Sequence, residues 1–295
     1  MFENRTIDSI EYRVWTGKML KTGDHPNIGK YPNLWHGTEL TVTPQTIVEI
    51  ARRAIELNTK TKFDILRFNA SREQDFDRRV DLTSLAPFVF AIAVEEHCKK
   101  LDLDQLYCLD KLLSILVRVK KIKNLKLANF LSLWSATLGK VDDADVLEGA
   151  VNLENLILLQ RLDIAKTGWE WLATLPKLKK FEMIQFEIAS LVGITPNPSI
   201  ETLGIAYPRT FVSFEGIEVF SGVKRLEIEG AKQISDLSPI GDLKNLRQLD
   251  IISSAKPKSW DFLKKLPNLE WAAFDGETIW ENGEFTKKSL KLVAP

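Results

Sequence analysis

The sequence predicts an α/β repeat array: parallel strands on a concave face, short helical or 3₁₀ returns on a convex face, and a cap at each end. Three observations carry that prediction. An apolar template recurs at 22 or 23 residues, apolar residues at steps of three precede each copy, and the chain's two ends depart from both patterns.

The template is apolar, two variable, apolar, one variable, apolar. It is filled by Leu178-Phe181-Met183, Ile200-Leu203-Ile205, Val223-Leu226-Ile228, Leu246-Leu249-Ile251 and Leu269-Ala272-Phe274, with starts 22, 23, 23 and 23 residues apart. Its alternation has a period of two, which is a strand with one buried face. Ahead of the copies run Leu191-Ile194, Phe214-Ile217-Phe220, Leu237-Ile240-Leu243 and Trp260-Leu263-Leu266. Steps of three suit a 3₁₀ or short helical segment, where i and i+3 eclipse. Each unit is therefore a short strand, a turn and a helical return.

The stretch from Ile234 to Ile251, which reads ISDLSPIGDLKNLRQLDI, resembles the leucine-rich-repeat superfamily in its short, internalin-like form. The resemblance covers roughly residues 120 to 280. It implies a solenoid that binds other proteins, and it leaves the partner open because fold does not fix function. One feature departs from the family. Its turn asparagine, three positions after the last strand leucine, is replaced here by Thr167, Phe186, Pro208, Ala231, Ser254 and Glu277. Thr167 and Ser254 are partial substitutes, and the other turns must be held differently.

Upstream the pattern loosens. Ile122-Leu125-Leu127 fits the strand template, with Leu106-Leu109-Leu112, Leu116 and Val119 leading into it. Two registers compete next, Leu153-Leu156-Leu158 and Leu159-Leu162-Ile164. Trp169-Leu172-Leu175 leads into Leu178, and Phe88, Phe90, Ile92 and Val94 alternate as a strand does. Degenerate repeats are read from about residue 60. The domain boundaries are an N-terminal cap over residues 1–59, the array over 60–277 (irregular to about 120) and a C-terminal cap over 278–295.

A stacked array exposes apolar surface at its ends and needs such caps. In the first, Ile10, Tyr12, Val14 and Leu20 suggest a strand or hairpin, and residues 23 to 38 have loop composition. Thr43-Pro44 is a helix start, a side-chain cap followed by proline. Ile47, Ile50, Ala51, Ala54 and Ile55 then give one apolar face, with Asn58 as the end. In the last, Glu281-Asn282-Gly283-Glu284 signals a closing β-hairpin.

Composition narrows the function classes. Forty basic and forty acidic residues give zero formal charge, which offers no general attraction to nucleic acid or an anionic membrane. Two cysteines, Cys98 and Cys108, point to reduced buried thiols in a cytoplasmic protein. The longest apolar run, Ala86 to Val94, is about half a membrane span, and the first residues lack a signal-peptide pattern. His25, His36 and His97 have no partners at metal-ligand spacing. Phosphate-binding and nucleophile-elbow motifs are absent. No catalytic, cofactor or metal residues are expected. The basic run Arg118, Lys120, Lys121, Lys123 and Lys126 lacks interleaved aromatics and reads as a solvated face.

The binding surface is expected on the concave face, at the third, fifth and seventh template positions. These are Lys180, Glu182 and Ile184; Thr202, Gly204 and Ala206; Arg225, Glu227 and Glu229; Gln248, Asp250 and Ile252; Trp271, Ala273 and Asp275. Arg161, Asp163 and Ala165 join them if the second competing register holds. Acids recur at the fifth position, so the protein-binding residues are read as Lys180, Glu182, Arg225, Glu227, Glu229, Gln248, Asp250, Trp271 and Asp275. Lys180 and Arg225 either neutralise the stripe in place or leave it for a partner with a basic patch. Trp169 and Trp260, at equivalent return positions, are core. Trp271 is either an interface anchor or covered by the hairpin. Assembling a complex as an adaptor and neutralising a toxin both fit a protein-binding scaffold. The rival readings are an enzyme with its site in the N-terminal region and a self-assembling structural protein.

Overall fold

The structure is a computed structural model, described for residues 2–7, 10–15, 38–77, 79–122, 124–159 and 168–286. It divides into two units, Met1–Leu153 and Glu154–Pro295. In the first, β1 (Phe2–Ile7), β2 (Ile10–Trp15) and β3 (Thr38–Val42) pair antiparallel. From β3 the ladder is parallel through β4 (Ile65–Phe68), β5 (Ala91–Val94), β6 (Ser114–Val117) and β7 (Ser135–Leu138). The inward rows are Leu40, Leu66, Ile92, Ile115 and Ala136, then Val42, Phe68, Val94, Val117 and Leu138, all buried.

The template therefore continues through this unit in a register that differs from the expected one. It is filled by Phe63-Leu66-Phe68, Val89-Ile92-Val94, Leu112-Ile115-Val117 and Leu133-Ala136-Leu138, each residue buried. Ile122, Leu125 and Leu127 are buried too, but in the return to β7, where Leu127–Asn129 is 3₁₀. Leu106-Leu109-Leu112 leads into β6, not into Ile122.

Between β3 and β4 the return is α-helical, α1 (Ile47–Arg52) and α2 (Ala54–Thr61). Thr43 starts it: its N–H donates to Thr46 Oγ1 at 2.9 Å, and the Thr46 N–H donates to Thr43 Oγ1 at 3.3 Å. This is the reciprocal geometry of a capping box. Ile47, Ile50, Ala54 and Leu57 form the buried face, whereas Ile55 is exposed. Asn58 is not the end; α2 closes at Lys62 in the left-handed region, and Asn58 Nδ2 donates to the Phe63 carbonyl at 2.8 Å.

In the second unit β8 (Asn155–Leu158), β9 (Lys180–Ile184), β10 (Thr202–Ala206), β11 (Arg225–Glu229), β12 (Gln248–Ile252) and β13 (Trp271–Phe274) form a parallel ladder. Leu156 faces Phe181 and Leu158 faces Met183, so the first of the two competing registers is the strand. Leu162 and Ile164, with Arg161, Asp163 and Ala165, lie outside the described residues, as does Thr167. The returns are 3₁₀ at Glu170–Thr174, Ile217–Phe220, Ser238–Asp242 and Asp261–Lys265. Trp169 and Trp260 are buried there.

The turns are held without the missing asparagine. After β9, β10, β11 and β12 the chain passes through the left-handed region at Gln185, Tyr207, Gly230 and Ser253. That kink aims each N–H at the next repeat. Gln185 donates to Ala206 O at 2.9 Å, Tyr207 to Glu229 O at 2.7 Å and Gly230 to Ile252 O at 2.9 Å. Ser254 is a substitute as expected: its Oγ donates to Ile252 O and accepts the Ala231 N–H. At the other strand ends asparagines bind back one repeat, Asn152 Nδ2 to Leu131 O, Asn245 to Ser221 O and Asn268 to Lys244 O, at 2.8–2.9 Å.

The ladder is closed by antiparallel β14 (Glu277–Glu281) and β15 (Glu284–Phe285). Both turns have two central residues at positive φ, Asp275-Gly276 and Asn282-Gly283. This is the mirror-image turn that suits hairpin twist and favours Asp-Gly and Asn-Gly. The Ser253 N–H has no strand carbonyl opposite it once the chain turns, and it donates instead to Asp275 Oδ1 at 2.6 Å.

Candidate functional site

Strand alternation turns a row of side chains away from the core of the second unit. Across its ladder the first outward row is Asn155, Lys180, Thr202, Arg225, Gln248 and Trp271. The next is Ile157, Glu182, Gly204, Glu227, Asp250 and Ala273. The third includes Ile184, Ala206, Glu229 and Ile252. Eight of the nine residues expected to bind thus share one sheet face. Asp275 sits past the end of β13, its carboxylate on the Ser253 N–H.

The carboxylates of the middle row are not equivalent. Glu182 is only 4% exposed. Lys180 Nζ lies 3.7 Å from its Oε2. Beside it Gly204 leaves the necessary space, since a Cβ there would stand 2.7 Å from Glu182 Cγ. Glu227 takes Arg225 Nε at 2.7 Å and is a third exposed. Asp250 is its direct neighbour across the ladder. Burial first, and then the Glu227 charge, push the Asp250 carboxyl above the usual aspartate range, while Arg225 acts the other way. The stripe is neutralised at Glu182 and Glu227 and under-neutralised at Asp250.

The rim is aromatic. Trp271 is half-buried, with Nε1 donating to Thr278 Oγ1 of β14 at 3.4 Å, so the hairpin covers it in part. Tyr207 is a residue that the sequence pattern did not mark. It is 45% exposed, stands in the left-handed region, and its hydroxyl donates to Glu229 Oε1. That bond raises the phenol's pKa. Its ring lies over Gly230, where a Cβ would come within 2.5 Å of Tyr207 Cδ1. The signal was available: Tyr207 follows its strand as Gln185, Gly230 and Ser253 follow theirs, and Gly230, one repeat later, leaves room for its ring.

The same face of the first unit is different. Ile65, Ala91, Ala93 and Leu116 point outward yet are buried together. Ser114, Ser135 and Thr137 are buried as well. Arg67, also outward, holds fully buried Glu39 through Nε and Nη2, both at 2.8 Å, and reaches Glu95 with Nη1. Arg118 adds a contact to Glu95 at 3.5 Å. The open outward face belongs to the second unit.

Other candidates carry less. Cys98 is buried, donates to Phe68 O, and is pushed up to about 12 by burial and Asp75, so its thiol is inert. Cys108 is exposed, which corrects the expectation that both thiols are buried. His97 has Nε2 3.3 Å from Glu96. Among the described residues no group of three or more His, Cys, Asp or Glu is placed to hold a metal ion. No described helix is long and apolar enough to cross a membrane. In the basic run Arg118 and Lys126 are paired, the latter with Asp145 at 3.1 Å, and Lys123 lies outside the described residues, as do His25 and His36.

No protein-family model matches the chain, and a comparison with curated proteins finds no match. Among solved structures it is similar to internalin C2 from Listeria monocytogenes str. 4b F2365, at 17% identity and a TM-score of 0.45 over 65% of this chain and 83% of that one. It is also similar to TLR13 in a complex with ssRNA13, at 14% identity and a TM-score of 0.47 over 76% of this chain and 37% of that one. The architecture stands on the chain's own geometry: one parallel strand per 22- or 23-residue repeat, a kinked turn after it and a 3₁₀ return are the fold of a leucine-rich-repeat array.

Proposed function

We propose that this chain is a non-enzymatic scaffold that binds another protein, one with a basic patch, across the outward sheet face of its second unit. The observation that carries the reading is the Glu227–Asp250 pair. Two carboxylates stand side by side on adjacent strands, and the Arg225 guanidinium is bonded to Glu227. Asp250 is left half-buried against like charge. A cationic side chain from a partner relieves that repulsion, and complementarity of this kind governs encounter rate and selectivity. Trp271 and Tyr207 flank the pair as aromatic anchors. The adaptor and toxin-neutralising roles both use such a face, and the identity of the bound protein separates them. Two free cysteines favour a reducing compartment, the cytoplasm.

The test compares capture by the native chain and by Glu227→Lys/Asp250→Lys, with circular dichroism to confirm folding. A protein held stoichiometrically by the first and lost by the second supports the reading. Purified, that protein should associate more slowly with the variant and with a weaker dependence on salt. Trp271→Ala should mainly speed dissociation, by about 1–4 kcal/mol. Identical capture by both chains would place the working surface elsewhere.

A further inference from the structure

β1 is the outermost described strand of the first unit. It pairs with β2 on one side, and no described strand lies along its other side. An open edge is a row of N–H and C=O groups ready to template another strand. We propose that this edge pairs antiparallel with β1 of a second copy of the chain, with Asn4 facing Asn4 on the two-fold axis and Glu3 of each copy facing Arg5 of the other.

The register follows from ladder parity. Ile7 pairs with Ile10 across two intervening residues, and the pair that closes such a hairpin exchanges both of its hydrogen bonds. Counting back, Arg5 and Glu3 also turn their backbone groups toward β2. Thr6, Asn4 and Phe2 turn theirs to the open edge. A second β1 can bond there only through its own Phe2, Asn4 and Thr6. The centred register sets Asn4 opposite Asn4 and Phe2 opposite Thr6, and it uses every one of those groups in both copies.

Glu3 and Arg5 then fall at the non-bonded pairs, where facing Cα atoms are about 4.5 Å apart and side chains meet most closely. Both are half exposed, and Arg5 Nη2 already lies 2.8 Å from Glu3 Oε2 on the same face. Across the axis the two pairs close into a ring of four alternating charges. The adjacent registers that keep parity fail electrostatically. A shift one way sets Glu3 against Glu3, and a shift the other way sets Arg5 against Arg5. Like charges directly opposite destabilise a ladder. Charges on an edge strand ordinarily repel other strands; here they reject the wrong registers and admit one. The formal net charge of zero adds no repulsion between whole copies. A six-residue edge is small beside a standard interface, so association is weak and depends on concentration.

Sedimentation of the full chain over roughly 5 to 500 µM reads the affinity. The native chain should move from monomer to dimer across that range. Asn4→Pro removes an edge donor that the monomer does not use, as proline on an open edge is tolerated, and should weaken dimerisation at least tenfold. Glu3→Lys should do the same by facing Lys with Arg5. The exchange Glu3→Lys/Arg5→Glu should restore the native affinity, with circular dichroism unchanged throughout. A native chain that stays monomeric overturns the proposal. So does a dimer that neither the proline nor the charge reversal affects, or a charge exchange that fails to restore what the single reversal lost. If Asn4→Pro perturbs the fold, the reversal and its exchange decide alone.

Discussion

Asp250 shows how much one outward residue can say. Its place at the fifth template position follows from the sequence alone, but its electrostatics do not. They depend on Glu227 being one strand away and on how Arg225 divides between them. Because burial and Glu227 raise its pKa, the folded state favours the neutral carboxyl. That contribution is fully present below the ordinary aspartate range and is lost as pH rises through the raised value. Asp250→Asn stays neutral at every pH. It should therefore melt at a higher temperature than the native chain at pH 7, with the gain vanishing near about pH 3. Melting curves at both pH values check this, and an equal gain at both would assign it to something other than ionisation. Gly204 is a residue whose role was hidden from sequence for a similar reason. It reads as one outward position with no side chain, and only the neighbouring strand reveals that Glu182 fills its space.

Among elements, the strands of the second unit were legible, whereas in the first only the strand through Ile10, Tyr12 and Val14 and the alternation at Ile92 and Val94 were, and the cause is physical. In β11 and β12 apolar residues alternate with Arg225, Glu227, Gln248 and Asp250, so the period of two is visible. In β5, β6 and β7 every residue is buried, outward ones included. A strand closed on both faces reads as an unbroken apolar run. Its returns compete with it, because Ile122-Leu125-Leu127 has the template's spacing and is equally buried. Turns were harder still. The Asn282-Gly283 hairpin is legible in the sequence, while Asp275-Gly276 is hidden beneath the last template copy. The asparagines that stitch the repeats stand before the strands, not after them. Asn268→Ala removes the donor from the Lys244 carbonyl and should cost about 1 kcal/mol in a denaturant titration. Asn268→Asp keeps the size, lacks the donor and should cost at least as much. If both are neutral, water replaces the bond and the stitch is not structural.

For the whole molecule, the two units set different jobs on equivalent positions. The residue just before β5, β6 and β7 in the first unit is Phe90, Leu113 and Trp134. In the second it is a ladder of ions, with Lys179 on Glu154 at 2.9 Å, Lys224 on Glu201 at 2.7 Å and Arg247 on Glu270 at 3.3 Å. Exposed pairs of that kind add little stability; they keep a repetitive edge solvated. The outward face follows the same division, closed around Arg67 in one unit and open around Asp250 in the other. A uniform reading of the repeat would put outward charges on every strand, and β5, β6 and β7 do not carry them.

The Ser253–Asp275 bond has one more consequence. A carboxylate standing in for a strand carbonyl terminates the ladder by chemistry local to its last rung. Nothing in that arrangement senses how many rungs came before. The size of this unit is thus written at its boundary, and its interior is free to vary by whole repeats. Duplicating residues 224–246 in tandem should yield a folded chain one rung longer, with a higher midpoint of unfolding, because each added repeat buries a further interface. A chain that aggregates or unfolds earlier would mean that the interior, too, keeps count.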